Sequence, residues 1–442
     1  MFDLPIIDSL LLKLFRFRTR AFLRMVDAPP TVPPPPAGGS GYLYVHIPFC
    51  EVLCPFCSFH RVQHRHAQAV RYFTALRTEI RLYHAAGHRF TGVYFGGGTP
   101  TTEPAELVTT IELVKALFGV TEISVETNPK DLRPEIVQPL RAAGVTRLSV
   151  GVQSFDDNLL REMERYEKYG SGAETRERIR AVAGIFPTLN VDFIFNQPHQ
   201  TRASLERDLA LFRTLGANQV SFYPLMTSPT VDRRMTKQMG QTDPRRLRQF
   251  YHTIVQRLAP DFAPSSAWCF TRRGHGTDEY IVAADNYVGV GSGAFSYLDG
   301  TLYCTTFSLS AYERHIAQGH TGITTCHRLR ETDRLRYTLL VRLFGLHLDH
   351  ASVLTQHGPQ FFRKLWGELL TLRLLGAARA DARGWRLNER GMFWLTLMMS
   401  AFFESVNNYR DAMRAHVKEE LHESVEMCAP AANSLAPAAS RE

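Results

Sequence analysis

The stretch CEVLCPFC (Cys50–Cys57) comes shortly after the apolar run YLYVHI (Tyr42–Ile47), which has the composition of a buried strand. It places Cys50, Cys54 and Cys57 in one loop with the spacing C-x3-C-x2-C. Three thiolates crowded on one loop suit a soft metal centre better than disulfides, which pair cysteines two at a time. A cubane iron–sulfur cluster has four irons and normally takes four thiolates, so three cysteines leave one iron open to a substrate or cofactor. The stretch therefore predicts a cluster loop at the end of a strand.

The composition is that of a soluble globular protein. Hydrophobic residues make up 44% of the 442 residues and charged residues 21%, and no apolar run approaches the roughly 20 residues that span a bilayer. Seven cysteines, three of them in one motif, are too few for a disulfide scaffold. The other cysteines are expected to be buried or idle thiols: Cys269, Cys304, Cys326 and Cys428. Lone thiols and an oxygen-labile cluster both indicate a reducing, cytoplasmic location.

The net charge of +8 is spread along the chain. Because the basic residues are not collected in one tract, we expect solvated surface charge and anionic small-molecule ligands. No nucleic-acid partner is expected, since the basic residues near 328–342 are not accompanied by a clear recognition helix.

The N-terminal region, residues 1–40, is predicted to be an amphipathic helix followed by a proline-rich linker. Over residues 1–28, leucine and phenylalanine are interspersed with lysine and arginine. The charges follow the apolar residues instead of preceding them as in a secretory signal. We expect this helix to pack on the body of the protein, with weak docking on a membrane surface as the alternative. The run PPTVPPPP (Pro29–Pro36) then favours a stiff, extended spacer.

Residues 41–265 alternate between short β-branched or aromatic runs and helical patterns. In the helical segment Thr201–Leu215, for example, leucines recur on one face. Repeated strand–helix units indicate a parallel sheet with right-handed crossovers. Six units are too few for the usual barrel of about eight strands, so the sequence predicts an α/β fold with an open, partial (β/α)6 TIM-type barrel. The predicted strands are Tyr42–Ile47, Gly92–Gly97, Ile123–Thr127, Arg147–Val152, Leu189–Ile194 and Gln219–Tyr223.

Three further regions follow the predicted barrel. Residues 266–329 are rich in glycine and aromatic residues and are predicted to be a connecting segment. Residues 330–420 have helical patterns and a small hairpin near Gly384–Leu387, which indicates a mostly helical, winged-helix-like C-terminal domain. Residues 421–442 end in alanine, proline and serine and are predicted to be a disordered tail.

Glycines and polar residues cluster where the predicted strands end, which is where barrels of this type carry their chemistry. The run GGGTP (Gly96–Pro100) closes the second strand, and its glycines permit close backbone approach to a carboxylate or amino group. Glu126 and Gln153 end the third and fourth strands, Arg165 lies in the following helix, and Asp192 lies in the fifth strand. Around a cluster, these residues favour a ring of ligands for a zwitterionic small molecule.

Two side chains on the first strand are candidates for contact with cofactor or substrate. Tyr44 is expected to contact one of them. For His46, orientation of the loop, contact with substrate and a purely structural role all remain open. The aromatic residues of 390–410, such as Phe393, Trp394 and Phe403, are expected to be helix core and not a porphyrin platform.

The motifs HIPFC (His46–Cys50), GGGTP, ETNP, GVQSF (Gly151–Phe155) and VDFIF (Val191–Phe195), in this order, resemble those of one family. It is the radical SAM family of oxygen-independent coproporphyrinogen III oxidase, HemN, and the haem chaperone HemW. The resemblance covers residues 42–400. It implies a partial barrel, one [4Fe-4S] cluster and S-adenosylmethionine.

The resemblance also assigns the site residues. The cluster ligands map to Cys50, Cys54 and Cys57, and the predicted catalytic residues are Tyr44, beside the cluster, and His46. The contacts to S-adenosylmethionine map to Gly97, Gly98, Thr99, Glu126, Gln153, Arg165 and Asp192.

The chemistry implied by the resemblance begins with reduction of the cluster by a low-potential electron donor such as flavodoxin or ferredoxin. Cleavage of S-adenosylmethionine then gives methionine and a 5′-deoxyadenosyl radical, and the expected substrate is a tetrapyrrole. Two reactions stay open: oxidative decarboxylation of coproporphyrinogen III, and HemN-like methyl transfer or haem modification. A HemW-like haem chaperone, which binds haem and a cluster without turnover, is the alternative.

Two departures from the family pattern bear on that choice. Phe59 stands where HemN-type decarboxylases carry a further cysteine, which makes the loop more like that of HemW or of the HemN-like methyltransferases. The segment Asn196–Gln200 has the sequence NQPHQ where the family usually has Gly-Leu-Pro-Gly-Gln. Both departures weigh against decarboxylation of coproporphyrinogen, and neither affects the cluster chemistry.

Overall fold

The computed structural model describes residues 23–39, 41–226, 228–274 and 285–427. Most of the predicted N-terminal helix, residues 1–22, lies outside these ranges. The predicted end of that helix is wrong, because Val26–Asp27 is a short strand that pairs with Cys326 and Thr325. The prolines that follow favour this outcome, since a proline disfavours helical backbone in the residue before it.

Short strands make up much of the described chain. In chain order they are β1 (Val26–Asp27), β2 (Tyr42–Ile47), β3 (Phe49–Cys50), β4 (Val62–Gln63), β5 (Gly92–Gly97), β6 (Glu122–Thr127), β7 (Arg147–Gln153), β8 (Thr188–Phe195), β9 (Gln219–Pro224), β10 (Phe262–Pro264), β11 (Cys269–Arg272), β12 (Tyr287–Val290), β13 (Phe295–Leu298), β14 (Thr301–Thr305), β15 (Ile323–Arg328), β16 (His347–Asp349), β17 (Ala378–Ala380) and β18 (Gly384–Leu387).

Helices connect most of these strands. In chain order they are α1 (His66–Ala85), α2 (Pro104–Phe118), α3 (Pro134–Ala143), α4 (Asp157–Glu162), α5 (Tyr166–Tyr169), α6 (Gly172–Val182), α7 (Arg202–Phe212), α8 (Pro229–Met239), α9 (Leu247–Leu258), α10 (Leu309–Ala317), α11 (Glu331–Phe344), α12 (His350–His357), α13 (Gln360–Lys364), α14 (Trp366–Leu374) and α15 (Glu389–Met427). Short 3-10 turns lie at Pro100–Thr102, Pro129–Asp131 and Pro244–Arg246.

Within the described ranges, no helix combines the length and the apolar character needed to cross a bilayer.

The predicted parallel sheet is confirmed. Strands β2, β5, β6, β7, β8 and β9 are neighbours in chain order, and each adjacent pair is parallel. The bounds of the six strands differ from the prediction by at most one residue at either end. Their apolar residues, such as Leu43, Val45 and Ile47 of β2, are fully buried, as expected for strands covered on both faces. All six strands therefore end on the same edge of the sheet, as in other open α/β sheets.

The predicted connecting segment, residues 266–329, extends this sheet on both sides. Strand β12 lies parallel to β2, with Tyr287 opposite Tyr42, and β13, β14 and β15 continue from it in antiparallel pairs. On the other side β11 lies antiparallel to β9 and pairs with β10. The result is one sheet of 13 strands among the described residues.

A buried carboxylate fastens the glycine-rich segment to the barrel. Glu79 of α1 is fully buried and accepts hydrogen bonds from the backbone N–H groups of Gly291 and Gly322, both at 2.8 Å. It also accepts one from the hydroxyl of Tyr312 at 2.7 Å. Burial raises the pKa of Glu79, and these three donors counteract that effect.

The C-terminal region contains the predicted hairpin. Strands β16, β18 and β17 form a three-stranded antiparallel sheet beside α11 to α14, and a separate winged-helix-like domain stays a prediction. The chain then continues into α15, a helix of 39 residues. This helix reaches Met427, so the prediction of a disordered tail from 421 is wrong for 421–427, and 428–442 lie outside the described residues.

Candidate active site

A cavity of about 290 Å³ lies where the parallel strands end. It brings together the side chains that the sequence singled out on separate segments of the chain. The three motif cysteines line it, and so does Tyr44. The predicted cofactor contacts that line it are Gly97, Gly98, Thr99, Glu126, Gln153, Arg165 and Asp192.

The cysteine loop is held in shape by its own backbone and by one arginine. Strand β3, which contains Cys50, pairs with β4 and so closes the base of the loop. Inside the loop, Nη2 of Arg61 donates to the carbonyl oxygens of Cys54 at 2.5 Å and of Cys57 at 2.8 Å. One guanidinium therefore braces two of the three cysteine positions.

Cations surround the middle cysteine. Nη1 of Arg165 lies 3.7 Å and Nζ of Lys168 lies 3.4 Å from the Sγ atom of Cys54. Burial on its own would raise the pKa of Cys54, but the charges of Arg165, Lys168 and Arg61 outweigh it and lower that pKa. By contrast, burial and the neighbouring Cys57 raise the pKa of Cys50 to about 12.

This donor set fits an iron–sulfur cluster. Within the described residues, no three His, Cys, Asp or Glu side chains converge on one metal ion, whereas a cubane cluster takes each thiolate on a separate iron. The Nε atoms of Arg61 and Arg165 are buried and have no hydrogen-bond partner in the described chain. Buried cationic donors next to thiolates are suited to an anionic group, since a buried polar atom is costly when it is left unsatisfied.

Glycines bring the end of β5 into close contact with the strand that leads to the cysteines. A Cβ atom on Gly98 would lie 2.6 Å from the carbonyl oxygen of Phe49, and one on Gly97 would lie 2.6 Å from the His46 ring. The backbone of Gly97 also has a φ of 115°, which favours glycine. The turn is joined to β2 by a hydrogen bond of 2.7 Å from the N–H of Gly98 to the carbonyl oxygen of Ile47.

Two half-buried carboxylates line the cavity on β6 and β8. Glu126 accepts hydrogen bonds from the hydroxyl of Tyr94 at 2.8 Å and from the N–H of Gly97 at 3.0 Å. Asp192 accepts one from Ser149 at 2.7 Å. Burial raises both pKa values, that of Glu126 to about 7, to which the nearby charge of Asp192 also contributes. A cationic ligand in the cavity would favour the ionised form of both groups.

The end of β7 is bent by a bulge. The pairing of β7 with β8 shifts between Gly151 and Gln153, and Gln153 has a φ of 74°, which is uncommon for a residue with a side chain. The next turn is fixed by Asp208 of α7, which accepts hydrogen bonds from the Ser154 hydroxyl at 2.7 Å and from the Phe155 N–H at 2.8 Å. The bulge and this anchor set the position of Gln153 at the cavity.

A chain of hydrogen bonds joins three strand ends across the cavity. Nη2 of Arg165 donates to the carbonyl oxygen of Gly151 at 2.5 Å and to Oδ1 of Asn128 at 3.1 Å. Nδ2 of Asn128 donates to Oγ1 of Thr99 at 2.7 Å, and that hydroxyl lies 3.7 Å from Sγ of Cys50. Two predicted contacts, Arg165 and Thr99, are thus linked through a third residue to the cysteine loop.

The hydrogen bond between Tyr44 and His46 has a fixed direction. Nε2 of His46 lies 3.0 Å from the carbonyl oxygen of His60, which can only accept, so Nε2 carries the proton. Nδ1 of His46 is then the acceptor for the Tyr44 hydroxyl at 2.9 Å. Tyr44 lines the cavity, whereas His46 is fully buried behind it and is not among the lining residues. Its contacts are structural, and a catalytic role for His46 stays a prediction.

Comparison with known proteins identifies the family. The model of the radical SAM superfamily matches residues 44–212. The oxygen-independent coproporphyrinogen III oxidase of Bradyrhizobium diazoefficiens is 28% identical, over 83% of this chain and 87% of that protein. The heme chaperone HemW of Mycobacterium tuberculosis is 30% identical, over 66% of this chain and 78% of that protein. The chain belongs to the radical SAM family of these two proteins. This family implies a [4Fe-4S] cluster and S-adenosylmethionine.

The fold of the family is also shared. The structure of coproporphyrinogen III oxidase (HemN) from Escherichia coli superposes with a TM-score of 0.67 at 23% identity, covering 84% of this chain and 90% of that one. The predicted α/β radical SAM fold is therefore confirmed.

Several lining residues of this radical SAM cavity were not predicted. Asn128 lines the cavity and belongs to the ETNP motif quoted above. Its position at the end of a predicted strand could have identified it. Arg61 and Tyr169 have no such signal, because their contribution depends on how distant segments pack.

The long helix α15 closes the other side of the cavity. Its residues Phe403 and Asn407 line the cavity together with Trp268 and Phe59. The rings of Phe403 and Trp268 lie 5.9 Å apart. The expectation that the aromatics of 390–410 are helix core holds for Phe393, which is buried, whereas Phe403 has a place in the cavity wall.

Proposed function

We propose that this protein is a radical SAM enzyme that acts on a tetrapyrrole. The observation that carries the proposal is the single cavity in which the three cysteines meet every predicted contact for S-adenosylmethionine. When bound there, a [4Fe-4S] cluster supplies the electron that cleaves S-adenosylmethionine to methionine and the 5′-deoxyadenosyl radical. The ligands would be Cys50, Cys54 and Cys57.

The residues of the strand ends provide complementary charges for the cofactor. The unpartnered Nε of Arg165 suits the carboxylate of S-adenosylmethionine, since guanidinium groups bind carboxylates with strong, directed hydrogen bonds. Glu126 and Asp192 offer negative charge for a positively charged cofactor. Gly97 and Gly98 line the cavity with backbone alone, so the cofactor can approach that backbone closely.

The wall on the side of α15 serves to exclude water and oxygen. Trp268 and Phe403 are large apolar side chains at the mouth of the barrel. A closed, mostly apolar site protects a reactive intermediate from side reactions. Tyr44 lines the cavity as a hydrogen-bonding group, and its hydroxyl is oriented by His46.

The substrate class is supported by the names of the relatives. Proteins named coproporphyrinogen III oxidase and heme chaperone HemW both align with most of this chain. Coproporphyrinogen and haem are tetrapyrroles, so a ligand of that class is common to both. The alternative, a haem chaperone that holds the cluster without turnover, is favoured by the 30% identity to HemW and by Phe59 in place of a further cysteine.

The test is anaerobic reconstitution of the full chain with iron and sulfide, followed by reductant, S-adenosylmethionine and a panel of tetrapyrroles. We expect 5′-deoxyadenosine and a decarboxylated, methylated or opened tetrapyrrole by mass spectrometry. Cys54→Ala should abolish both products, whereas Cys326→Ala, a free cysteine on β15, should retain them. Stoichiometric haem binding by a fully loaded protein that forms no 5′-deoxyadenosine with any substrate would overturn the enzyme proposal in favour of the chaperone.

A further inference from the structure

In the cavity wall formed by α15, the buried cation of Arg410 contacts the side-chain amide of Asn407. Arg410 is only 7% exposed, and its Nη1 donates to Oδ1 of Asn407 at 3.0 Å. Asn407 is 3% exposed and lines the cavity. Because a guanidinium can only donate, the oxygen of the amide must face Arg410. The two N–H donors on Nδ2 of Asn407 are therefore the part of this amide that remains for an acceptor in the cavity.

Two aromatic rings lie within cation–π distance of the guanidinium. The Cζ atom of Arg410 lies 5.2 Å from the ring centre of Phe59 and 5.7 Å from that of Phe295. Cation–π contacts stabilise a buried guanidinium without using its N–H groups. One of these N–H groups donates to Asn407, which places the positive charge beside the cavity wall.

The charge of Arg410 also acts on Tyr44, which lines the cavity. Burial and the carboxylate of Glu126 raise the pKa of Tyr44, and the positive charge of Arg410 counteracts them. Glu126 and Asp192 make one part of the cavity negative, whereas Arg410 makes the part near α15 positive. A cationic cofactor and an anionic substrate group would therefore be drawn to different parts of the same cavity.

We propose that Asn407, backed by the charge of Arg410, binds a carboxylate side chain of the substrate. The inference rests on the proposed function, because it assigns a place to the acidic side chains that tetrapyrroles such as coproporphyrin carry. In this arrangement Nδ2 of Asn407 donates to the carboxylate, and Arg410 supplies the opposite charge from behind. Phe59 has a specific part here: the guanidinium of Arg410 lies over its ring, at a position where the decarboxylase pattern has a cysteine.

The test measures binding of two porphyrins to the reconstituted full chain under anaerobic conditions. The probes are coproporphyrin III and its tetra-propionamide, which has the same macrocycle without negative charges. Asn407→Asp would form an ion pair with Arg410 and repel a carboxylate, so we expect affinity for coproporphyrin III to fall at least about tenfold. Arg410→Gln should weaken the same ligand about tenfold and leave binding of the tetra-amide unchanged, because only the charge is lost. Asn407→Leu removes a donor that an amide carbonyl can also use, so it should weaken coproporphyrin III about tenfold and the tetra-amide less.

A matched control is Arg272→Gln, since Arg272 also lies over a phenylalanine, Phe262 at 5.1 Å, but does not line the cavity. It should bind both porphyrins unchanged. Equal losses for the acid and the amide, no loss in the Asn407 and Arg410 variants, or no porphyrin binding by the unchanged protein would each overturn the subsite. Formation of 5′-deoxyadenosine, measured in parallel with S-adenosylmethionine and reductant, separates these outcomes from a failure of the proposed function.

Discussion

Arg165 lies 3.7 Å from the sulfur of Cys54, although the two residues are 111 positions apart in the chain. The same side chain donates to the carbonyl oxygen of Gly151 and to Asn128. It therefore connects the cysteine loop after β2 with the ends of β6 and β7. Loop and barrel are thus joined by a charged side chain that is itself buried.

Replacement of Arg165 by glutamine should impair cofactor cleavage more than cluster assembly. The three cysteines would remain, so we expect normal iron content, but the rate of 5′-deoxyadenosine formation should fall at least about tenfold because a charge-assisted hydrogen bond is lost. Iron analysis and mass spectrometry check the two parts. Arg207→Gln, which removes an exposed ion pair with Asp156, is the control and should leave both unchanged. An Arg165→Gln protein with full activity would contradict this role.

Gly98→Ala should destabilise the protein. The new Cβ would lie 2.6 Å from a backbone oxygen, which cannot move aside as a side chain can. We expect a loss on the order of 2 kcal/mol, because overpacking in a buried site typically costs 1 to 3 kcal/mol. Denaturant unfolding of the cluster-free protein measures it. Gly367→Ala, in α14 with no atom within 4 Å of the added Cβ, should be neutral or slightly stabilising; equal stability of the two variants would contradict the steric argument.

The stability of the cluster-free protein should depend on pH through Glu126. Its pKa of about 7 in the folded protein lies above the usual value of 4.5, because burial disfavours the charged form. The folded state therefore binds more protons than the unfolded state between these values, and stability should decline as pH rises from about 4.5 to about 7. Glu126→Gln should remove this part of the slope. Unfolding curves at a series of pH values measure it, and identical slopes for both proteins would show that Glu126 does not titrate in this range.

Asp208→Ala should weaken cofactor binding without removing any group that lines the cavity. Asp208 holds the turn after Gln153 through Ser154 and the N–H of Phe155, so its loss should release the strained backbone of Gln153. We expect KM for S-adenosylmethionine to rise several-fold with a smaller change in kcat. Asp208→Asn, which keeps one acceptor oxygen, should restore part of the affinity. A purely structural role would instead lower Tm and leave KM unchanged.

The local part of the site was predictable from the sequence. The six strands are short β-branched and aromatic runs, and the motifs stand at their ends, so the topology of a parallel sheet brings Cys50, Glu126 and Gln153 to one edge. Side chains whose role depends on distant packing were not predictable. The partners of Lys168 and Arg61 lie in the cysteine loop, but neither residue belongs to a motif.

The part of the sheet formed by residues 285–328 escaped prediction for a related reason. Tyr287 pairs with Tyr42 across more than half of the chain, and no local pattern encodes such a pairing. The place of Phe403 in the cavity wall has the same origin, because apolar spacing in a helix indicates burial but not the surface that is covered.

The order in which the cavity wall appears along the chain also separates two events during synthesis. The cysteines and the six strands of the predicted barrel precede residue 225, whereas Phe403 and Asn407 belong to α15 near the end of the chain. A nascent chain thus exposes the thiolates before the residues that will cover them have left the ribosome. Closure of the cavity by α15 is therefore the last step in making the site, and a chain that ends before α15 would leave the cysteine loop open on that side.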